Sequence, residues 1–221
     1  MITKKSNFTC IIPARAGSKS LKNKNLLEIN NKSLVENTLE FANNLKIFEK
    51  IILSSDSNKI LNVGINFDKL QFHKRSKINS LDKSTTEDVI NEVIEFYNLN
   101  QQYLFILEPT AWFRKKNTFN KIIELIKFYS PPSIVSVVCD KSINLRISKN
   151  KIYTNLNKIP RRRQEREKNF KLASNFWVVK LAYFRKYRSL ISKNPYFIEI
   201  SQKESIDINS KFDLELAKSY N

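Results

Sequence analysis

The sequence predicts an α/β fold, a mainly parallel sheet covered by helices on both faces. Three observations predict it. Short, wholly apolar runs such as Tyr103 to Leu107 and Ser133 to Cys139 read as strands buried on both faces. Amphipathic stretches of helical period stand between them, opened by capping signals. Strand and helix then alternate along the chain, as crossover-connected parallel strands require. With 221 residues and 41% apolar content, one domain spanning 1–221 with a substantial core is expected.

In chain order, the apolar run Phe8 to Ile12 is the first strand. Ser33-Leu34-Val35-Glu36 is a capping box that opens a helix with Leu34, Val35, Thr38, Leu39, Ala42 and Leu45 on one face. Lys50 to Ser54 is a strand that ends in Ser55-Asp56-Ser57. A carboxylate there either meets a ligand at the sheet's carboxyl edge or caps the next helix. The pattern from Ile60 to Asp82 is weak and fits a short strand among loops. Ser84-Thr85-Thr86-Glu87 reads as a second capping box, before a helix with Val89, Ile90, Val93, Ile94 and Tyr97 inward. The strand Tyr103 to Leu107 stops at Glu108-Pro109-Thr110. A helix over Thr118 to Tyr129 and the strand Ser133 to Cys139 follow.

The character changes after Asp140. Leu145 to Ile147 and Lys151 to Tyr153 form a hairpin pattern turning at Lys149-Asn150, and Pro160 to Arg166 is too polar for a core. Residues 141–172 therefore read as an arm. Asn175 to Lys180 resumes the sheet, Leu181 to Leu190 reads as a helix and Tyr196 to Ile200 as a strand. Asp207-Ile208-Asn209 precedes a last short helix.

Lys and Arg number 39 against 21 Asp and Glu, a formal charge of +18. Such a balance suits nucleic acid, an acidic membrane surface or small polyanions. Part of it also follows from a chain rich in Lys, Asn and Ile and poor in Gly. Nucleic acid is disfavoured as a partner because the basic residues are spread along the chain and no nucleic-acid module appears. No apolar run approaches the ~20 residues that span a bilayer, and Met1 to Asn7 are polar, so no membrane partner and a cytoplasmic location are expected. Cys10 and Cys139 sit in apolar runs and read as core. The single histidine, His73, excludes multi-His metal sites and argues against a Ser-His triad.

The stretch from Ile11 to Asn25 holds Arg15, Lys19, Lys22 and Lys24 together with Gly17, one of two glycines in the chain. It lacks the three glycines of a dinucleotide fingerprint, and Ser18 separates Gly17 from Lys19, which excludes a Walker A loop. A phosphate cradle after a buried strand and a solvated basic turn both fit.

Taken together, these segments resemble the acylneuraminate cytidylyltransferases. Ile12-Pro13-Ala14-Arg15-Ala16-Gly17-Ser18-Lys19, with Lys24-Asn25 downstream, is similar to the family's nucleotide-binding signature. Ser54 to Ser57 is similar to the turn after its second strand, and Glu108 to Arg114 to its Gln-Pro-Thr-Ser-Pro-Leu-Arg segment. Arg162-Arg163-Gln164 sits in the arm where relatives carry the same triplet, and Ser205 to Asn209 is similar to the family's Asp-Ile-Asp stretch. The related KDO cytidylyltransferases fit less well, because the Pro-Thr segment and the Arg-Arg-Gln triplet belong to the sialate branch.

The resemblance implies a three-layer Rossmann-like nucleotidyltransferase with a small protruding dimerisation arm, acting as a homodimer. It implies CMP transfer from CTP to a sialic-acid-like nonulosonic acid, with pyrophosphate released. Arg15, Lys19 and Asp207 are then the catalytic residues, and Arg15, Ser18, Lys19, Lys24, Asn25, Arg75 and Thr86 the nucleotide-binding set. Glu108, Arg114, Arg163 and Gln164 fall on the sugar side. Asp207 and Asn209 fall on the metal position, with Mg²⁺ the implied ion.

Four departures from the family pattern bear on activity. Asn209 stands where the family has a second Asp, and Glu108 where Gln is usual. Ala16 replaces a glycine, and Trp112-Phe113 replaces Pro-Leu, which is expected to reshape the pocket. A catalytically impaired nucleotide-binding relative and a basic nucleic-acid-binding protein are the competing readings.

Overall fold

The computed structural model describes residues 7–18, 20–67, 70–143, 145, 147–149, 151–152, 154 and 158–220. Among them lie eleven strands and six α-helices. These are β1 (Phe8–Pro13), β2 (Glu28–Ile29), β3 (Lys32–Ser33), α1 (Leu34–Leu45), β4 (Lys50–Ser55), α2 (Asn58–Val63) and β5 (Leu70–Lys74). Next come α3 (Thr86–Phe96), β6 (Tyr103–Ile106), α4 (Lys116–Tyr129), β7 (Ser133–Asp140), β8 (Ile147–Ser148) and β9 (Lys151–Ile152). The series ends with β10 (Asn169–Lys180), α5 (Leu181–Tyr187), β11 (Tyr196–Ile200) and α6 (Lys211–Ser219).

A seven-stranded sheet in the order β11-β7-β10-β6-β1-β4-β5 forms the middle layer. All its neighbours pair in parallel except β10, which runs antiparallel to both β6 and β7. Successive side chains of β1 go to opposite faces, as the pleat dictates. Cys10 and Ile12 join Val35, Leu39, Phe119 and Ile122 of α1 and α4 in one core. Ile11 joins Ile90, Val93 and Phe184 of α3 and α5 in the other. Burial on both sides is why these strands carry unbroken apolar runs. A third, smaller cluster packs α6 through Leu214 and Ala217 onto Trp112, Leu34 and Ile208.

The expected three-layer α/β architecture is observed, with local differences. The capping box at α1 is formed by Ser33 and Glu36. At α3 it is shifted by one residue: Thr85 Oγ1 accepts from the Asp88 amide at 3.1 Å, and Asp88 Oδ2 accepts from the Thr85 amide at 2.8 Å. Ser84 instead donates toward Asn79 Oδ1. The run Ser-Thr-Thr-Glu-Asp contains two overlapping capping frames, and Thr85 wins because α3 begins at Thr86.

The weak stretch from Ile60 to Asp82 contains the end of α2 and all of β5, the latter an edge strand. The strand read from Asn175 begins at Asn169; its first four residues are exposed, and the alternation of Phe170 and Leu172 with polar neighbours belongs to this strand. The helix read as Leu181 to Leu190 ends at Tyr187, where Arg188 adopts a left-handed conformation. The hairpin pattern is present as β8 pairing with β9; Tyr153 and Asn150 lie outside the described residues. Cys10 is buried and Cys139 half-buried, both in strands. Among the described residues, no helix is long and apolar enough to cross a membrane.

Candidate active site

From β1 the chain moves through α1 to β4 and β5 on one side. It then crosses through α3 to β6 on the other side of β1. That reversal leaves a crevice beyond the carboxyl ends of β1, β4 and β6, the usual ligand position in open α/β sheets. A cavity of about 310 Å³ lies there. Its lining includes Arg15, Ser18, Lys24, Asn25, Arg75, Thr86, Glu108, Asp207 and Asn209, which come from widely separated parts of the sequence. Lys19 lies outside the described residues. Arg114, Arg163 and Gln164 do not line this cavity.

The loop after β1 is held from both sides. Asp56 Oδ1 accepts from the Ala16 amide at 2.8 Å, and Asn25 Nδ2 donates to the Arg15 carbonyl at 2.8 Å. Asp56 is thus a brace for the loop, and the α2 N-cap position belongs to Ser57. Ala16 is absent from the residues with positive φ, so its side chain brings no backbone strain. A Cβ placed on Gly17 would meet nothing within 4 Å, which leaves open space beside the loop. Arg15 pairs with Asp82 at 3.0 Å on the cavity rim.

Arg75 is fixed along one edge by Ser54. Nε donates to Ser54 Oγ and Nη2 to the Ser54 carbonyl, each at 3.2 Å. Burial brings its guanidinium down to about 10, an effect that Asp56 opposes. Thr86 is the first residue of α3, and its neighbour Thr85 does the capping, so Thr86 is not the capping residue.

Asp207 is positioned by backbone. It forms an isolated antiparallel bridge with Ala111, and the next amide, Ile208, donates to the Thr110 carbonyl at 2.9 Å. Its Oδ2 accepts from Asn209 Nδ2 at 2.8 Å and Ser174 Oγ at 3.2 Å. Oδ1 is buried without a hydrogen-bond partner. Asn209 is a bridge, because its Oδ1 accepts from Lys24 Nζ at 2.8 Å while its amide holds Asp207. Asp213 is committed to capping α6 with Ser210, and Asp207 takes no part in that cap. Burial lowers the Lys24 pKa, against the pull of Asp207 and Glu108.

Glu108 follows β6. Burial and the nearby Asp207 carboxylate push its carboxyl up to about 7, against the pull of Arg114 and Lys24. Its ionisation therefore falls in the neutral range. Arg114, read from sequence as a sugar-side group, is a clamp beneath the crevice. Its Nη2 donates to the Glu108 carbonyl, Nε to the Asn175 carbonyl at 3.0 Å and Nη1 to Thr38 Oγ1 at 3.1 Å. Trp112 and Phe113 pack in the α6 cluster and do not line the cavity. Arg163 and Gln164 lie in an exposed turn of the arm. Asp82, Ser84 and Thr85 also line the cavity and were not read as site residues. A Ser-Thr cluster at a helix start facing a cationic loop was the available signal.

Among the described residues, no group of three or more His, Cys, Asp or Glu is placed to hold a metal ion. Mg²⁺ commonly takes one or two carboxylates and completes its shell with water and substrate phosphates. The unpartnered Asp207 Oδ1 fits that requirement.

A polar cavity that sets Arg15, Lys24 and Arg75 opposite Asp82, Glu108 and Asp207 at the switch point of an open α/β sheet is in form a nucleotide site. The chain belongs to the cytidylyltransferase family, whose sequence model matches residues 9–188. It is 35% identical over 133 residues to the CMP-N,N'-diacetyllegionaminic acid synthase of Legionella pneumophila, covering 58% of this chain and 56% of that protein. It is 22% identical over 221 residues to the post-translational flagellin modification protein B of Campylobacter coli, covering 96% and 94%. The fold superposes on a CMP:2-keto-3-deoxy-manno-octonic acid synthetase complexed with CTP, with a TM-score of 0.70 at 12% identity, over 96% of this chain and 97% of that one.

Proposed function

We propose that the protein transfers CMP from CTP to a nonulosonic acid and releases pyrophosphate. The observation that carries this reading is one cavity lined by the Arg15–Asn25 loop, Arg75 and Asp207, whose Oδ1 has no hydrogen-bond partner. The Legionella relative, named for synthesis of a CMP-linked nonulosonic acid, supports the choice of acceptor.

In the reaction, a sugar hydroxyl oxygen bonds to the α-phosphorus as the bond from that phosphorus to the bridging oxygen breaks. Pyrophosphate leaves with the electron pair, and the hydroxyl proton is lost. Negative charge grows on the non-bridging and leaving oxygens, so fixed cations lower the barrier. Arg15 and Lys24 supply that charge from a braced loop, and Lys19 from the same loop is assigned alongside them. Ser18 and Asn25 complete the triphosphate pocket. Arg75 and Thr86 are assigned to the base. Asp207 Oδ1 would hold Mg²⁺, with Asn209 orienting that carboxylate. Such an ion supplies Lewis-acid polarisation of phosphate oxygens.

Glu108 is assigned to the acceptor side. Arg163 and Gln164 would serve the neighbouring subunit's site in the homodimer that the arm suggests. A cytoplasmic location is part of the same reading, since CTP is the donor.

The test is pyrophosphate release from CTP and Mg²⁺ with a panel of nonulosonic acids. Turnover with at least one acid is expected. No turnover with any of them by folded protein would leave the impaired nucleotide-binding reading. That reading requires a CTP-dependent rise in melting temperature without product.

A further inference from the structure

The single histidine, absent from the roles assigned so far, lies directly behind Arg75. His73 is 1% exposed and Ser54 is fully buried. His73 Nδ1 is 3.0 Å from Ser54 Oγ, the same oxygen that accepts from Arg75 Nε at 3.2 Å. On its other side, His73 Nε2 faces Glu92 Oε1 at 3.8 Å and makes no hydrogen bond. Glu92 in turn accepts from the Ser76 amide at 2.7 Å and from Asn79 Nδ2 at 2.6 Å. It thereby ties the turn after Arg75 to α3.

The hydrogen-bond inventory sets the direction of this chain. A guanidinium nitrogen only donates, so Ser54 Oγ accepts from Arg75. Ser54 Oγ could accept a second time, but Nε2 faces the Glu92 carboxylate at 3.8 Å, which favours the ring proton on Nε2 and leaves Nδ1 to accept from the Ser54 hydroxyl. That is the neutral tautomer, and burial together with the charge of Arg75 keeps the His73 pKa low, partly offset by Glu92. A ring held there by packing alone would leave its buried Nε2 unpaired, a desolvation cost that an apolar residue of similar shape avoids.

We propose that His73 and Ser54 are positioning residues for nucleotide recognition. His73 fixes the Ser54 hydroxyl, and Ser54 holds two guanidinium nitrogens of Arg75. Nη1, for which the described residues show no hydrogen bond, remains for the ligand. The inference rests on the assignment of Arg75 to the nucleotide. Its ligand class is the pyrimidine nucleoside triphosphate that Arg75 would read, and its consequence is base discrimination.

The test measures direct binding of CTP and UTP by calorimetry, without acceptor, to wild type, Ser54→Ala, His73→Leu and His73→Asn. Asn keeps an amide oxygen near the position of Nδ1. Loss of a hydrogen bond to a charged group predicts that Ser54→Ala and His73→Leu weaken CTP binding about tenfold or more and narrow the CTP-over-UTP preference. His73→Asn is expected to restore most of both. Folded Ser54→Ala and His73→Leu proteins that bind CTP with wild-type affinity and preference would overturn the inference. If His73→Leu does not fold, Ser54→Ala decides alone, because it retains the carbonyl contact to Arg75. Wild type without CTP affinity would instead overturn the nucleotide assignment on which the inference depends.

Discussion

Asn209 shows how one atom's neighbours change the meaning of a substitution. From sequence it is a lost carboxylate at a metal position. In the structure it spans Lys24 and Asp207, bonding the Oδ2 atom of a carboxylate whose Oδ1 has no hydrogen-bond partner. Asn209→Asp removes the amide donor to Asp207 and places a second charge beside it. The expected outcome is a severalfold lower Mg²⁺ concentration at half-maximal velocity, read from a metal titration. An unchanged titration curve would show that position 209 does not act on the metal.

His73 carries the pH prediction. Its folded pKa lies below the ordinary 6.5, chiefly through burial, with Arg75 adding to the shift and Glu92 opposing it. The unfolded chain therefore takes up a proton first as pH falls. The stability contribution is present above about pH 6.5 and is lost as pH falls toward the lower folded value. Denaturant midpoints at pH 7.5 and 5.5 should differ more for wild type than for His73→Asn, and equal differences would contradict the assignment. The family resemblance made Arg15, Lys24, Asn25, Arg75 and Asp207 nameable from sequence. The bracing by Asp56 and the Ser54–His73 pair were hidden, because they depend on which side of a strand end each residue faces.

At the scale of elements, the buried parallel strands were legible because both faces are apolar, and α1 because its capping frame is unambiguous. The start of α3 was not, since Ser84 and Thr85 satisfy the same pattern and hydrogen-bond geometry decides between them. Thr85→Ala should cost about 1 kcal/mol by chemical denaturation, whereas Ser84→Ala should stay within about 0.5 kcal/mol. The reverse ranking would mean that the cap lies at Ser84. The start of β10 was obscured by the charged run that ends at Lys168, although Phe170 and Leu172 alternate with polar residues there, and its antiparallel direction is seen only in the pairing with β7.

At the scale of the molecule, that same exposed start of β10 bears on assembly. Phe170, Leu172 and Phe197 are 44%, 59% and 55% exposed, and the rings of Phe170 and Phe197 meet at 5.9 Å. An apolar strip beside the arm suits a second copy of the chain more than open solvent. Sedimentation is expected to report a dimer of the 26.0 kDa chain, converted to monomer by Leu172→Glu. A monomeric wild type at all accessible concentrations would contradict this. The net charge of +18 is a property of the whole surface and did not by itself locate the site. The loop after β1 did, once the sheet order brought Arg75 and Asp207 beside it.

The central claim is CMP transfer at this cavity, and isotope position tests it most directly. CTP labelled at the α-phosphate, incubated with Mg²⁺ and a nonulosonic acid, should pass its label to the sugar product, while label at the γ-phosphate should appear in pyrophosphate. Arg15→Ala should abolish both transfers. Absence of α-label from the sugar with every acid tried, or label transfer undiminished in Arg15→Ala, would contradict the account.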